Sequence, residues 1–327
     1  MKVLVVGGAG YIGSHAVRAL EESGHEAWVF DNLYQGHRGA VPADRLIEGD
    51  LLNPADLAAA LDKSGAEAVM HFAALALVGE SVTDPAKYYS NNVVGALNLL
   101  DAMREKGIWR IVFSSTCATY GVPPSSPIDE SMPQVPINPY GDTKLAIEKA
   151  LDAYSHAYGL GVAALRYFNA AGSHHSGEIG EDHDPETHLI PIVLQVALGQ
   201  REHVTIFGDD YPTPDGTCIR DYIHVEDLCS AHVAALERLE QGQMMKLNLG
   251  TGNGFSVKQV IDACRKVTGH EIPAVMGERR PGDPAALVAN SSKAFETLGW
   301  KPKYTSVEEV VASAWRWHQA NPNGYAN

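Results

Sequence analysis

Nowhere in this sequence does an apolar run approach the roughly 20 residues needed to cross a bilayer. The N-terminus carries one lysine and a short apolar run that stops at glycines, too short for the core of a secretory signal. Basic residues are also scarce: 25 lysines and arginines face 40 aspartates and glutamates, a net charge of −15, and no basic run offsets it. That balance argues against nucleic acid or an anionic membrane as partner, and any anionic ligand must meet a site that is locally positive. Cysteine is rare. Cys117, Cys218, Cys229 and Cys264 show neither a CxxC spacing nor a metal pattern, and read as reduced core residues. There is no internal repeat. A soluble cytoplasmic protein is expected, and 327 residues suffice for one large domain or two ordinary ones.

What is present begins with Lys2–Val6, a continuous β-branched run of the kind buried on both faces of a parallel sheet. It runs directly into Gly7-Gly8-Ala9-Gly10-Tyr11-Ile12-Gly13 and then a helical pattern through Leu20. Gly7, Gly10 and Gly13 allow a tight turn, close approach to a pyrophosphate and packing of helix on strand. The helix start then offers its free N–H groups to the phosphates. A second strand, Glu26–Phe30, ends in Asp31-Asn32, about 20 residues beyond the glycines. A carboxylate there can accept both adenosine ribose hydroxyls and repels a 2′-phosphate, so NAD is expected over NADP.

A third strand, Arg45–Glu48, leads to Asp50-Leu51, where the aspartate could take the adenine amino group. A fourth, Ala68–Phe72, ends in Phe72-Ala73-Ala74, small enough for a cofactor to lie against the backbone. A helix over 88–104 carries Asn91 and Asn92 on an otherwise apolar segment, and buried amides need partners. The fifth strand starts at Arg110 and ends in Ser114-Ser115-Thr116, hydroxyls at the sheet edge where open α/β sheets bind ligands.

After a proline-rich loop over 122–139, a helix begins at Tyr140-Gly141-Asp142-Thr143-Lys144. Tyrosine and lysine four apart share one helix face. Among the tyrosines here, only Tyr140 has a lysine at plus four. A phenol near pKa 10 must fall by roughly three units to serve as a base at neutral pH, on the order of 4 kcal/mol, which a nearby cation in a dry site could largely supply. Such pairs also arise by chance on solvated helix faces, so the pair gains meaning only from its neighbours.

A sixth strand, Val162–Arg166, leads into Tyr167-Phe168-Asn169. Strands alternating with helices over 1–170 predict a Rossmann-type, doubly wound parallel sheet. Beyond 170 the pattern loosens. Residues 172–188 read as a long loop whose histidines (His174, His175, His183, His188) fit no compact ligand set, so no metal is expected. Shorter elements then suggest a smaller α/β domain over 171–327 that closes on the sheet and binds substrate, with the chain free to cross back to the first domain.

The dinucleotide turn, the strand-end hydroxyls and the Tyr140/Lys144 pair together resemble the extended short-chain dehydrogenase/reductase family over the whole chain. Within it, the runs Asp209-Asp210-Tyr211-Pro212-Thr213, Arg220-Asp221-Tyr222-Ile223-His224-Val225 and Arg279-Arg280-Pro281-Gly282-Asp283 are similar to the epimerases that act on UDP-sugars. The resemblance implies NAD as cofactor, bound by Gly7, Gly10, Tyr11, Ile12, Gly13, Asp31, Asn32, Asp50, Leu51, Phe72, Ala73, Ala74, Asn91, Ser114, Tyr140, Lys144 and Tyr167. It implies that Tyr140 is the catalytic base, that Lys144 holds the nicotinamide ribose, and that Thr116 hydrogen-bonds the sugar O4. It also implies a substrate site of Thr116, Tyr140, Asn169, His188, Leu189, Phe207, Arg220, Arg280, Asp283 and Leu287, and a homodimer joined through helices near 91–104 and 141–157. The implied reaction interconverts UDP-galactose and UDP-glucose through a 4-keto sugar.

Two departures qualify the substrate. Ala76 stands where some members carry a lysine, and Leu287 stands where strict hexose enzymes carry a bulky tyrosine. UDP-N-acetylhexosamines and UDP-glucuronate therefore stay open as alternatives. A 4,6-dehydratase needs an acidic pair directly after the threonine, and Cys117-Ala118 fill those places instead. A non-catalytic NAD-binding sensor or scaffold typically loses the tyrosine or the lysine, and both are kept.

Overall fold

The computed structural model describes residues 1–280 and 282–326; Pro281 of the Arg279–Asp283 run lies outside them. The first six strands are β1 (Lys2–Val6), β2 (Glu26–Asp31), β3 (Leu46–Glu48), β4 (Ala68–His71), β5 (Arg110–Thr116) and β6 (Gly161–Tyr167). Between them run α1 (Tyr11–Glu22), α2 (Pro54–Ser64), α3 (Val78–Thr83), α4 (Pro85–Tyr88), α5 (Gly95–Glu105) and α6 (Pro139–Tyr158). Beyond them lie β7 (Asn169–Ala171), α7 (Leu189–Ala197), β8 (Val204–Phe207), β9 (Ile219–His224), α8 (Val225–Arg238) and β10 (Met244–Leu249). The chain finishes with β11 (Gly254–Ser256), α9 (Val257–Thr268), β12 (Ala274–Gly277), β13 (Ala286–Leu287), α10 (Ser292–Leu298) and α11 (Val307–Ala320).

Seven parallel strands form the main sheet in the order β10-β6-β5-β4-β1-β2-β3. Alternation along β1 divides its two faces. Val3 and Val5 pack with α1 and α8, while Leu4 and Val6 pack with α2, α5 and α6, and all four are fully buried. From β1 the chain winds outward to β2 and β3, then returns to β4 on the other side. That reversal opens a crevice at the carboxyl ends of β1 and β4, the usual ligand site of such sheets.

The seventh strand, β10, comes from beyond residue 170 and pairs with β6 from Met244↔Val162 to Leu249↔Tyr167. The remaining elements make a smaller region. There β9 pairs with β7, β11 and β13, β8 pairs with β12, and α7, α9 and α11 enclose a separate apolar core.

Three expected bounds are corrected. β3 begins at Leu46, opposite Val29, because residues 43–45 turn as a short 3₁₀ helix. The helix expected over 88–104 is broken by a π-helical turn at Tyr89–Val94 between α4 and α5. The fourth strand, expected to reach Phe72, ends at His71; residues 169–171, beyond the sixth strand, form a separate strand that joins β9 instead of the main sheet.

Candidate active site

The glycine turn is held by contact geometry. Gly7 has φ +78, and a Cβ on it would lie 2.4 Å from Ala73 N, so β1 and the end of β4 meet too closely for any side chain. A Cβ on Gly13 would lie 2.1 Å from Gly7 O, which presses α1 onto the turn. Gly10 N-caps α1 and supplies no side-chain cap, so the first-turn N–H groups point outward without an internal acceptor. Asp31, almost fully buried, accepts from Ala9 N at 2.9 Å and Leu33 N at 2.8 Å. Burial raises its pKa while those N–H groups act the other way.

Asn32 donates to Asp50 at 3.2 Å, joining the ends of β2 and β3. Leu51 is buried in the core, so its backbone is what remains for a ligand. Phe72 leans on His232, with ring centroids 5.0 Å apart. Asn92 is the fully buried amide of the 88–104 segment, and the chain satisfies it. It accepts from Leu75 N at 2.9 Å and donates to Leu75 O and Thr143 Oγ1, both at 3.1 Å. It thereby fixes the loop that holds Ala73, Ala74 and Ala76. Asn91, half-buried, donates to Asn92.

Helix α6 starts where the chemistry needs it. Asn138 caps it by accepting from Gly141 N at 2.8 Å, and Pro139 opens the first turn. Tyr140 and Lys144 then share the face toward β5, with the ammonium 6.0 Å from the phenol ring. Lys144 is buried and donates to Ser114 O at 2.9 Å. Ser114 Oγ in turn lies 2.6 Å from the Tyr167 hydroxyl. Burial lowers the Lys144 pKa to about 7, and Glu148 acts against that fall. Burial pushes the Tyr140 phenol up to about 12, with the Thr116 hydroxyl pulling it down. The expected lowering of the phenol by Lys144 is therefore corrected. In the protein alone, desolvation outweighs an ammonium that is itself committed to a carbonyl.

Beneath this face lies a network that sequence reading missed. Glu148 accepts from Ser115 Oγ at 2.6 Å and from Arg166 at 2.9 and 2.6 Å. Arg166 also donates to the Tyr120 hydroxyl at 2.8 Å, which donates to Asn248 at 2.8 Å. These groups are buried and tie α6, β5, β6 and β10 together. The one signal in the sequence is that Glu148 lies one helical turn beyond Lys144 on the same face.

The substrate-side residues come from the smaller region. Arg220 on β9 donates to Asp283, and Leu287 on β13 is its register partner. Asn169 on β7 donates to Asp221 O at 3.2 Å, fixing it beside the same strand. Arg280 stacks over the Phe207 ring at 4.1 Å. His188 stands at the N-cap position of α7, just before Leu189. Tyr11 joins the two halves, since its hydroxyl donates to Gly172 O at 2.6 Å. The loop after β7 also departs from expectation: His183 and His188 converge with Glu181 and Glu186, all within 4.8 Å, at a Glu-x-His-x-x-Glu-x-His spacing.

Residues 3–250 match the NAD dependent epimerase/dehydratase family. The chain belongs to that family. Its curated relatives include a UDP-glucose 4-epimerase of Halalkalibacterium halodurans, 57% identical over 100% of this chain and 98% of that protein. The fold is similar to that of the Brucella ovis UDP-glucose 4-epimerase solved with NAD, at TM-score 0.93 and 51% identity over 96% and 97% of the two chains. It is also similar to the Bifidobacterium longum UDP-glucose 4-epimerase solved with NAD+ and UDP, at TM-score 0.94 and 39% identity over 99% and 100%.

The cofactor of this NAD-dependent family fits the residues present. The uncapped start of α1 supplies N–H donors for a pyrophosphate, Gly10 leaves the turn open beside them, since a Cβ there would meet only Gly7 O at 3.5 Å, and Asp31 offers a carboxylate at the ribose position. Among the described residues no helix is long and apolar enough to cross a membrane.

Proposed function

We propose that the chain interconverts UDP-galactose and UDP-glucose by oxidising C4 of the sugar to a ketone and reducing it on the opposite face. The observation that carries this reading is the half-buried Tyr140, its phenol beside Thr116 and one turn from Lys144, at the carboxyl ends of the strands that form the NAD cradle. Thr116 holds the sugar O4 against the phenol. Tyr140 takes the O4 proton and later returns it. Bound NAD would supply the hydride acceptor and donor for C4, and its positive charge would favour the Tyr140 phenolate that burial alone opposes. Lys144 holds the nicotinamide ribose and adds to the positive field at the phenolate. Arg220 and Arg280 hold the diphosphate with Asn169 and the backbone at His188 and Leu189, arginine's planar fork suiting phosphate oxygens. Phe207 and Asp283 take the uracil and its ribose. Functionally, residues 1–170 then serve NAD and residues 171–327 chiefly serve the UDP-sugar.

A dehydratase step is unavailable to these residues. Burial raises the Cys117 thiol to about 12, and Ala118 has no titratable group, so neither replaces an acid–base pair at C5–C6. Leu287, half-buried against the Tyr120–Phe168 cluster, is smaller than tyrosine and leaves some room at C2 of the sugar. UDP-hexoses are preferred, with UDP-N-acetylhexosamines slower. The protein works in the cytoplasm, in keeping with four free cysteines. It dimerises through α5 and α6, near which Tyr89, Val94 and Tyr158 stay exposed.

The test is incubation of the purified protein with UDP-galactose without added NAD, in parallel with UDP-N-acetylgalactosamine. Conversion of the first to an equilibrium mixture, faster than the second, is expected. Equal rates would remove the hexose preference, and no conversion of either after adding NAD would refute the reading.

A further inference from the structure

The loop between β7 and α7 carries side chains that the reaction does not use. Glu181, His183, Glu186 and His188 each turn one ligating atom into a common space, all within 4.8 Å of one another. His183 Nδ1 lies 3.4 Å from Glu181 Oε1 and 3.6 Å from Glu186 Oε2. His188 Nδ1 lies 2.8 Å from Glu181 Oε1 and 3.3 Å from Glu186 Oε1. Donors arranged tetrahedrally at about 2.0–2.1 Å from a zinc ion stand about 3.3 Å apart, and the His–Glu separations, taken to the nearer Glu186 oxygen in each case, run from 2.8 to 3.6 Å around that value.

A second observation separates this group from an ordinary ion-pair cluster. Glu181 is 3% exposed, yet its Oε1 receives no aligned hydrogen bond, and the buried Nδ1 of His183 makes none either. His188 Nδ1 comes within 2.8 Å of that oxygen but off the line a hydrogen bond needs, and a shielded carboxylate oxygen without an aligned donor is unfavourable. A cation at the point where the lone pairs meet satisfies all four groups at once. Two imidazole nitrogens and two carboxylates suit a borderline first-row cation and not calcium or magnesium, which take all-oxygen shells. Their charges balance a divalent ion.

We propose that Glu181, His183, Glu186 and His188 bind one divalent transition-metal ion of the zinc class. The ion would fasten the 172–188 loop to the start of α7, where His188 stands at the N-cap position without a side-chain capping bond. It would do so directly behind Tyr11, whose ring meets His183 edge-on at 6.1 Å. Its role is to hold these elements in place, and no step of the epimerisation passes through it.

The test uses the untagged full-length protein, stripped with a chelator and titrated with Zn2+ at constant pH, followed by calorimetry and thermal unfolding. One Zn2+ per chain is expected, with micromolar or tighter affinity and an unfolding temperature raised by several degrees. Glu181→Gln and His183→Ala should each weaken uptake at least tenfold. The double variant His174→Ala/His175→Ala, whose histidines lie in a different group with Glu22, should keep it. If the stripped wild-type protein takes up no Zn2+, or Glu181→Gln and His183→Ala bind it as tightly as the wild type, the proposal fails.

Discussion

The NAD cradle and the sugar-nucleotide pocket are built by different means. The cradle is backbone: a turn too tight for side chains at Gly7 and Gly13, an uncapped helix start, and one buried carboxylate with two N–H partners. The pocket is side chain on short strands and loops, and its cations already have partners, Arg220 with Asp283 and Arg280 with the Phe207 ring. Those pairings keep the arginines in place until a diphosphate competes for them. The contrast fits a cofactor that stays through turnover and a substrate that must leave.

Gly13→Ala attacks the rigid side and should have the largest effect. Its Cβ would meet Gly7 O at 2.1 Å, so the turn must open. The purified variant should carry no NAD by absorbance and show no activity until NAD is added in large excess. Retention of NAD at wild-type level would mean that the cradle is not set by this contact. Tyr140→Phe leaves both halves standing and removes only the proton transfer. NAD occupancy should be unchanged while kcat falls roughly 10²- to 10⁴-fold, the usual range for a general base. A variant within a factor of a few of wild type would exclude Tyr140 as the base.

Arg220→Met attacks the adaptable side. A hydrogen bond to a charged group contributes about 1.5–3 kcal/mol, so KM for the UDP-sugar should rise about 10- to 100-fold with kcat altered far less. An equal loss in kcat would place Arg220 in the chemical step. The smallest effect concerns pH. Burial keeps His15 and His71 neutral, with pKa values lowered to about 3, and His224 and His232 with values lowered to about 4. An unfolded chain takes up these protons near pH 6.5, before the folded one does. Their contribution to stability is thus complete above about 6.5 and is lost as pH falls through the folded values, at up to about 1.4 kcal/mol per pH unit for each. Urea midpoints at pH 6.5, 5.8 and 5.0 should fall progressively, a window in which His183 and His188, whose pKa values are raised, are largely protonated folded or unfolded. A flat series would mean that these histidines are not buried neutral.

The same contrast governs what could be read from the residues alone. Gly7–Gly13, Asp31 and the Tyr140/Lys144 pair are local patterns whose spacing carries their geometry, so the sheet and its cradle were legible. Glu148, Arg166, Tyr120 and Asn248 are far apart in the chain, and only the fold brings them to one buried network. That the chain could cross back to the first domain was foreseen, but not that β10 would do so beside β6, some 80 residues earlier. The phenol's raised pKa could not be anticipated because spacing places Lys144 near Tyr140 but says nothing of how far the fold shields the phenol from water. That His183 and His188 meet Glu181 and Glu186 was not anticipated, because only the histidines of the loop were weighed.

The central claim, oxidation and re-reduction at C4 within one site, is tested most directly by isotope. UDP-galactose carrying deuterium at C4 is incubated with the protein in ordinary water, and the UDP-glucose formed is analysed by mass spectrometry and NMR. The account predicts deuterium fully retained at C4 of the product, with none lost to solvent. Loss of the label to water would contradict it, because the C4 hydrogen would then have left as a proton and not through the bound cofactor.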